Sequence, residues 1–337
     1  MSNTGTMQKL LDVQGLTKHF TIRGGILNRV EGAVKAVDGV SFSVNKGEIL
    51  GIVGESGCGK STLARLLMGL ITPDSGTVTI GGQEMKMRGR SLVDLRRRMQ
   101  MVFQDSHASF NPQRTILDAI AYAPRVHGKS KQQAEAEARD LLTRVGLQAD
   151  RFAERYPMEL SGGQRQRVNI ARALALQPEI LILDESVSAL DKSVEAQILN
   201  LLQQLKAEFG LTYLFISHDL NVIEYLSDSV LVMYLGQVVE RGPVQDVYSN
   251  PTHPYTKALL ASKPSLDPRK RTTAAPIAGD PPSPINPPSG CRFRTRCLHA
   301  EAICGKRAPK LTAVGTEAHQ VACLMNEPGS GHSKAAA

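Results

Sequence analysis

The sequence predicts an α/β fold organised around a glycine-rich loop, and three observations support this prediction. The first is an apolar run that is followed by a glycine-rich loop at 54–62 and then by a helical pattern. The second is a pair of continuous apolar runs, at 180–183 and 211–217, which are typical of fully buried strands. The third is a stretch at 112–158 in which apolar residues recur at helical spacing.

The glycine-rich loop has the arrangement of a phosphate cradle. It consists of Gly54, Glu55, Ser56, Gly57, Cys58, Gly59, Lys60, Ser61 and Thr62. Glycines let the backbone turn its N–H groups inward, and the N-terminus of the following helix adds about half a positive charge. Lys60 can then reach the β- and γ-phosphates, and the Ser61 hydroxyl can bind Mg²⁺. We therefore expect the chain to bind a nucleoside triphosphate.

Length, charge and hydropathy narrow the class of protein. A chain of 337 residues has room for roughly two domains. The net charge of +8 suits a nucleotide-binding protein or one near anionic lipid, and by itself does not indicate nucleic acid binding. No apolar run approaches the roughly 18 residues that span a bilayer, and the first ten residues hold no signal-peptide core. We expect a cytosolic chain, either soluble or docked on a partner.

Polar residues follow both apolar runs. Asp184 and Glu185 come directly after the first run, and His218 follows the second. Because a doubly wound sheet binds its ligand at the carboxyl ends of its strands, these side chains are candidates for Mg²⁺, water and γ-phosphate contacts. An Asp in this position can also cap a helix, and a lone His is commonly an ordinary surface residue. The glycine-rich loop is what favours the functional interpretation.

Two further features have both a structural and a functional interpretation. The turn Ser161-Gly162-Gly163-Gln164 precedes a helical pattern at 168–176, so it is a candidate anion site or a plain helix cap. Phe20 falls in a predicted loop ahead of a block of short strands. Its ring could stack on a base or belong to the core.

Taken in order, these pieces resemble the nucleotide-binding subunit of an ABC transporter, from about residue 11 to 261. The motifs in chain order are GESGCGKS (54–61, Walker A), Gln104 of the Q-loop, LSGGQ (160–164, signature), ILILDE (180–185, Walker B), SALD (188–191, D-loop) and His218 of the switch. The resemblance implies a P-loop NTPase cassette with a RecA-like core, an antiparallel β subdomain and a helical subdomain at about 105–158.

The resemblance also implies roles in phosphate and metal binding. Lys60 and the loop amides would hold the β- and γ-phosphates. Ser61 and Gln104 would bind Mg²⁺ directly, and Asp184 would contact it through water. Phe20 falls where the family places its adenine-stacking aromatic residue.

The remaining implied roles concern hydrolysis and closure. Glu185 would polarise the attacking water, and His218 would touch the γ-phosphate. The signature turn at 161–164 would complete the site of an opposite subunit, because the family sandwiches two ATP molecules between two cassettes. The sequence departs from the family at Ser186, where proline is usual. We expect little effect on metal binding but a less rigidly placed Glu185, because serine does not fix φ.

The sequence predicts three further segments after the cassette. The cassette is predicted at 9–262, followed by a proline-rich linker at 263–290, a cysteine module at 291–326 and a disordered tail at 327–337. Residues 250–260 resemble the segment that follows the cassette in oligopeptide and dipeptide importers.

The cysteine module contains four of the five cysteines. Cys291, Cys297, Cys304 and Cys323 have the spacing C-x5-C-x6-C-x18-C, which matches neither a zinc ribbon nor a bacterial ferredoxin. Thiolate chemistry leaves zinc, an iron–sulfur cluster and unmetallated thiols open. The resemblance to peptide-importer ATPases implies a [4Fe-4S] cluster. Cys58 lies in the phosphate loop and is predicted to be only a small residue there.

The expected function is an ATPase that couples ATP binding and hydrolysis to uptake of di- and oligopeptides by a bacterial ABC importer. With a single Walker A and a single signature, the chain must pair with a second cassette, which the resemblance implies is a different subunit. The other implied partners are two permease subunits and a periplasmic or extracellular solute-binding protein. The implied location is peripheral, on the cytoplasmic face of the inner (plasma) membrane.

Two alternatives remain at this point. The same machinery could serve another solute, such as nickel, an opine, a sugar or glutathione, because selectivity lies in the partners. A soluble ABC protein acting on nucleic acid is disfavoured, since only 56 positions separate Gln104 from Leu160 and leave no room for a long coiled coil. We expect no nucleic acid partner.

Overall fold

The computed structural model describes residues 8–24, 29–105, 109–263 and 279–335. Its strands are β1 (Lys9–Gly24), β2 (Arg29–Asn45), β3 (Ile49–Val53), β4 (Ser75–Ile80), β5 (Gln83–Glu84), β6 (Met99–Val102), β7 (Ile180–Asp184), β8 (Thr212–Ile216), β9 (Ser229–Tyr234), β10 (Gln237–Pro243), β11 (Thr312–Val314) and β12 (Thr316–Val321). Its helices are α1 (Lys60–Leu67), α2 (Gly89–Arg98), α3 (Ile116–Val126), α4 (Lys131–Arg144), α5 (Ala149–Phe152), α6 (Gly162–Leu174), α7 (Lys192–Phe209), α8 (Leu220–Leu226), α9 (Val244–Ser249), α10 (Pro254–Ala261) and α11 (Ala302–Lys306).

The chain divides into two compact units. The first unit contains Asn45–Ile49 and Met85–Ser217, and the second contains Lys9–Val44, Leu50–Glu84 and His218–Ala337. The α/β prediction is confirmed, because the predicted buried strands and helices are both present. None of the helices in the described ranges is long and apolar enough to cross a bilayer.

The first unit is built on parallel strands. β7 lies between β6 and β8, with Met99 opposite Ile180 and Ile180 opposite Thr212. All five residues of β7 and of β8 are buried, which explains why both appear in the sequence as unbroken apolar runs. The parallel arrangement brings Asp184, the last residue of β7, level with Ile216 near the end of β8.

Helices cover the rest of the first unit. α3, α4 and α5 fall within the predicted helical subdomain, and α4 begins with a capping box in which Ser130 and Gln133 satisfy each other's backbone N–H groups. The helix predicted at 168–176 begins earlier, at Gly162, because the signature turn itself forms its first turn.

The second unit contains an antiparallel sheet with the strand order β2-β1-β4-β5. β1 is 16 residues long and carries Phe20, whose side chain is exposed at 38%. The prediction of a loop at Phe20 is therefore wrong. The strand continues through this residue because the flanking sequence Thr-Lys-His-Phe-Thr-Ile is rich in β-branched and aromatic residues, which favour extended backbone.

The second unit also contains strands that lie before the phosphate loop and in the C-terminal part of the chain. β3 pairs in parallel with β9, β9 pairs antiparallel with β10, and β10 pairs antiparallel with β12. Within the second unit, these pairings connect the C-terminal strand β12, through β10 and β9, to β3, which leads into the phosphate loop. The segment predicted as a cysteine module contributes α11, β11 and β12 to this unit.

A buried carboxylate connects three parts of the second unit. Glu240 on β10 is fully buried and accepts hydrogen bonds from the backbone N–H groups of Thr252 (2.8 Å) and His253 (3.0 Å) and from Nε2 of His319 (2.8 Å). His253 in turn accepts a bond from the Tyr255 N–H at 3.0 Å and caps α10. Burial lowers the pKa of His253 to about 3, so its ring is neutral. These contacts fix the entry into α10.

The predicted linker and tail are described in part. Residues 264–278 of the linker and 336–337 of the tail lie outside the described residues. In the remaining linker, the Pro284 carbonyl accepts a hydrogen bond of 3.1 Å from the Lys35 N–H. In the remaining tail, Ser330 and His332 are buried and the Ser333 N–H donates to Glu301 at 3.0 Å.

Candidate nucleotide-binding site

The glycine-rich loop joins β3 to α1 and lies close against the backbone of its neighbours. A Cβ atom added to Gly54 (φ 149°) would lie 2.2 Å from the Met233 carbonyl oxygen, and one added to Gly59 (φ 111°) would lie 2.1 Å from the Ala36 carbonyl oxygen. Real Cβ atoms do not come so close, so both positions require glycine. The loop shape expected of a phosphate cradle therefore follows from its packing.

Lys60, the first residue of α1, is buried and bound within the loop. Its Nζ donates hydrogen bonds to the carbonyl oxygens of Gly54 at 2.7 Å and Glu55 at 3.0 Å. Ser61 and Thr62 follow it in the first turn of α1. The ammonium group is thus placed beside the helix N-terminus, where a phosphate anion is favoured.

Cys58 is a small buried residue of the same loop, as its position in the motif predicts. Burial raises the pKa of the Cys58 thiol despite the neighbouring Lys60 ammonium, whose Nζ lies 3.8 Å from Sγ. The Cys58 carbonyl accepts a hydrogen bond of 2.8 Å from the Gly236 N–H. The tip of the loop, at Ser56 and Gly57, is exposed.

Glu55 is held through three separate groups. Its N–H donates to the Tyr255 hydroxyl oxygen at 2.8 Å. Its carboxylate forms a bidentate ion pair with the Arg296 guanidinium, with N–O distances of 2.8 Å and 3.1 Å. Its carbonyl accepts from Lys60 and from the Cys58 N–H. Hydrogen bonds to Glu55 and Tyr234 outweigh the effect of burial and raise the pKa of Arg296 above its ordinary value.

An aromatic cluster supports the same contacts. The ring centroids of Tyr234 and Tyr255 lie 4.7 Å apart, and Phe293 lies 5.3 Å from Tyr234 and 5.4 Å from Tyr255. The cluster joins β9, α10 and the cysteine module. No local pattern in the sequence indicates a partner for Arg296 or a role for Tyr255.

A second ion pair lies nearby in the same unit. Arg292 pairs with Asp38 and donates to the Leu235 carbonyl. Asp38 also bonds to Nε2 of His19 at 2.8 Å. Burial would raise the pKa of Asp38, but the His19 hydrogen bond and the Arg292 charge lower it overall. The module is thereby attached to β2 as well as to the phosphate loop.

In the first unit, two candidate catalytic residues are in contact. Nε2 of Gln104 donates to the Glu185 carboxylate at 2.7 Å. Glu185 has a left-handed backbone (φ 47°), which costs a non-glycine residue on the order of 1 kcal/mol, and its N–H donates to the Ile216 carbonyl at 3.0 Å. Strained backbone of this kind is concentrated at functional sites. Asp184, just before Glu185, is buried.

Ser186, where the sequence departs from the family, lies in the turn that follows β7. Its side chain is buried, and among the described residues its Oγ has no hydrogen-bond partner. The turn is instead held at Ser188, which donates to the Glu185 carbonyl through Oγ at 2.9 Å. A buried hydroxyl without a partner costs about 1–3 kcal/mol, so the local sequence is not optimised for stability.

The signature turn is a helix cap in this structure. Ser161 Oγ accepts from the Gln164 N–H at 3.3 Å, and Gln164 accepts from the Ser161 N–H at 3.0 Å, which forms a capping box for α6. Ser161 and Gly162 are exposed. A Cβ added to Gly163 would lie 2.5 Å from Cγ1 of Val194, so α7 packs closely against this turn.

The predicted site residues are divided between the two units. The phosphate loop, Phe20 and His218 belong to the second unit, whereas Gln104, the signature turn, Asp184 and Glu185 belong to the first. His218 is exposed just before Asp219, whose carboxylate caps α8 by accepting from the Asn221 N–H at 2.9 Å.

The four C-terminal cysteines line one small cavity of about 20 Å³. It is lined by Cys291, Cys297, Cys304 and Cys323 together with His253, His299 and His332. All five cysteines of the chain are free thiols. Burial, and secondarily repulsion between neighbouring cysteines, raises the pKa of Cys291 to about 11 and that of Cys323 to about 12. Within the described ranges, no three His, Cys, Asp or Glu residues are grouped to hold a metal ion.

Comparison with known proteins agrees with this geometry. Residues 37–188 match the ABC transporter family, and residues 239–304 match the oligopeptide/dipeptide transporter C-terminal region. The oligopeptide transport ATP-binding protein OppF of Escherichia coli is 48% identical over 95% of this chain and 97% of its own length. The oligopeptide transport ATP-binding protein AppF of Bacillus subtilis is 47% identical over 94% of this chain and 98% of its own length.

Solved structures give the same fold. The cassette cbiO1 of Clostridium perfringens has a TM-score of 0.62 at 25% identity and covers 72% of this chain and 92% of its own. The ATP-binding cassette MJ0796, solved as a dimer bound to ADP and Pi, has a TM-score of 0.61 at 30% identity. The match covers 70% of this chain and 99% of MJ0796.

The fold and the motifs together define an ABC transporter ATP-binding cassette, and the predicted fold class is confirmed. Within that class, the chain belongs to the oligopeptide/dipeptide transporter family of ATP-binding proteins.

Substitution of two loop glycines tests whether close packing against neighbouring backbone makes glycine necessary at Gly59. Gly59→Ala should lower the free energy of unfolding by at least about 2 kcal/mol more than Gly57→Ala, measured by denaturant titration without nucleotide. Gly57 (φ 77°) also has left-handed backbone, but no described atom lies within 4 Å of its added Cβ. Equal losses for the two variants would contradict the requirement for glycine at Gly59.

Proposed function

We propose that the chain is the ATPase subunit of a bacterial ABC importer, and that it couples ATP binding and hydrolysis to uptake of di- and oligopeptides. Family membership supports the transport class, and the two oligopeptide transport relatives at 47–48% identity support the peptide substrate. The single structural observation that carries hydrolysis is the Gln104–Glu185 hydrogen bond of 2.7 Å at the end of β7.

Binding of the triphosphate is assigned to the loop of the second unit. Lys60 exchanges the Gly54 and Glu55 carbonyls for the β- and γ-phosphates, because an anion is the stronger partner for an ammonium group. The loop amides and the N-terminus of α1 complete the cradle. Phe20 is exposed on β1, which leaves its ring available to stack on the adenine.

Mg²⁺ binding is assigned to Ser61, Gln104 and Asp184. Their hydroxyl, amide and carboxylate oxygens fit the hard ligands that Mg²⁺ takes, directly or through water. When bound, the ion neutralises charge that develops on the transferred phosphoryl group.

Water activation is assigned to Glu185. The Gln104 amide orients its carboxylate, and the left-handed backbone fixes the direction in which the side chain leaves β7. His218 contacts the γ-phosphate. Phosphoryl transfer needs positioning and charge neutralisation more than covalent chemistry, which is what these residues supply.

The exposed signature turn at 161–164 is assigned to the nucleotide of a second, different cassette subunit. Dividing the phosphate contacts between two chains makes hydrolysis depend on closure, and closure can move an attached permease. We propose two permease subunits and a periplasmic or extracellular solute-binding protein as the other partners, with this chain bound peripherally at the cytoplasmic face of the inner membrane. We propose no nucleic acid partner for this assembly.

The first test is Glu185→Gln. Loss of the carboxylate should lower ATP turnover by about 100-fold or more, because the water loses its base, while ATP affinity stays near the wild-type value. The measurement is phosphate release alongside equilibrium ATP binding. Glu154→Gln, a surface variant whose side chain is 71% exposed, should behave as wild type. Near-normal turnover of Glu185→Gln would remove Glu185 from its assigned role.

The second test concerns the transported solute. With the permease and solute-binding partners reconstituted in liposomes, di- and oligopeptides should raise the ATPase rate at least several-fold. Nickel, an opine, a sugar and glutathione should leave that rate unchanged. Stimulation by one of these four solutes, without stimulation by peptides, would assign that solute instead.

We also propose that Cys291, Cys297, Cys304 and Cys323 hold a [4Fe-4S] cluster. Four free thiols lining one cavity fit the ligand set of such a cluster. Bound there, the cluster would cross-link Cys323 to the segment at 291–304, which stabilises a module with a small core.

Iron analysis of protein purified without oxygen tests this assignment. The preparation should be brown, with broad visible absorption and about four irons per chain. Cys297→Ser should lower the iron content, whereas Cys58→Ser should not, because Cys58 lies in the phosphate loop. A colourless preparation that contains zinc would exclude the cluster.

A further inference from the structure

The residue Glu55 connects the phosphate loop to the C-terminal module. Its N–H is bound by Tyr255, its carboxylate by Arg296 and its carbonyl by Lys60. The Arg296–Glu55 bond spans 241 positions of sequence. The second residue of the loop is therefore fixed by groups from two distant segments as well as by the loop itself.

These three contacts differ in what nucleotide binding does to them. In the proposed function, Lys60 turns to the phosphates and gives up the Gly54 and Glu55 carbonyls. The contacts from Tyr255 and Arg296 do not involve Lys60 and can remain. They are then the side-chain contacts that continue to hold Glu55 when the loop closes around the phosphates.

The Arg296–Glu55 pair has the geometry of a strong ion pair. The Arg296 side chain is 6% exposed and that of Glu55 is 22% exposed. Two parallel hydrogen bonds fix the orientation of both groups, and water screens the charges less than it would at an open surface. Exposed ion pairs contribute little, whereas truncating one partner of a buried pair leaves the other charge uncompensated.

We propose that Arg296 and Tyr255 are positioning residues for the phosphate loop, so that the C-terminal module and α10 together set the affinity of the loop for ATP. This inference rests on the proposed binding of ATP at residues 54–62. The proposed function assigns neither residue a contact with the nucleotide. Each acts through Glu55, Arg296 on the carboxylate and Tyr255 on the backbone N–H.

A double-mutant cycle on the full-length chain tests the pair. Arg296→Gln and Glu55→Gln should each raise the Kd for ATP by about tenfold, and the double variant should raise it no further, because both changes remove the same interaction. Tyr255→Phe, which removes the acceptor of the Glu55 N–H but keeps the ring, should raise the Kd about threefold. Arg307→Gln is the control, since Arg307 lies in the same module and pairs with Glu327 of the tail rather than with the loop.

Steady-state kinetics of the assembled transporter separate positioning from catalysis. Arg296→Gln should raise KM for ATP by about the same factor as Kd, with kcat at saturating ATP within about twofold of wild type. Thermal unfolding and iron content are measured on every variant. If Arg296→Gln fails to fold, Glu55→Gln decides the question, because it lies in the loop rather than the module.

Three results would overturn the inference. They are a Kd for the folded Arg296→Gln or Glu55→Gln variant within twofold of wild type, an additive effect in the double variant, and an equal loss of affinity in Arg307→Gln. Failure of the wild-type chain to bind ATP would instead remove the proposed function, and a Lys60→Ala variant gives the reference for that outcome. The two failures are therefore distinguishable.

Discussion

The close approach of the phosphate loop to neighbouring backbone is the constraint on which the rest of the second unit depends. At Gly54 and Gly59 the space for a side chain is filled by carbonyl oxygens of Met233 and Ala36. The loop therefore takes its shape from strands on both sides, β2 and β9, before any ligand is bound. Because the backbone is fixed in this way, the amides are oriented in advance, and binding loses less conformational entropy than it would with a flexible loop.

Polar contacts attach the C-terminal segments to this rigid centre. Glu240 fixes the entry to α10 by accepting three hydrogen bonds, and α10 then presents the Tyr255 hydroxyl to Glu55. The aromatic rings of Tyr234, Tyr255 and Phe293 fill the space between these bonds. A region that looks like an appendage in the sequence is thus packed against the phosphate loop. The buried side chains of Glu240 and Arg292 bind groups from several elements at once, which specifies one arrangement.

Local patterns in the sequence predicted much of the fold. β7 and β8 were identifiable because a buried parallel strand appears as an unbroken apolar run, and the helices of the first unit because their apolar residues recur at helical spacing. The loop at Phe20 was mispredicted because a single aromatic residue does not show whether the strand continues.

The contacts made at the site were less accessible to sequence reasoning. The motifs identified Glu185 and Gln104, but neither the left-handed backbone at Glu185 nor the hydrogen bond between the two residues has a local signal. The Arg296–Glu55 pair joins residues 241 positions apart, so no periodicity or spacing reveals it. Pairings of this kind are set by tertiary packing, which the sequence pattern does not encode directly.

Arg296 is followed immediately in the chain by Cys297, which lines the sulfur cavity. One peptide unit therefore separates a group that holds the phosphate loop from a group that faces whatever fills the cavity. Thermodynamic reciprocity then applies in both directions: if an occupant of the cavity changes the affinity for ATP by some factor, ATP must change the affinity for that occupant by the same factor. The retention of that occupant would then vary with the energy charge of the cell.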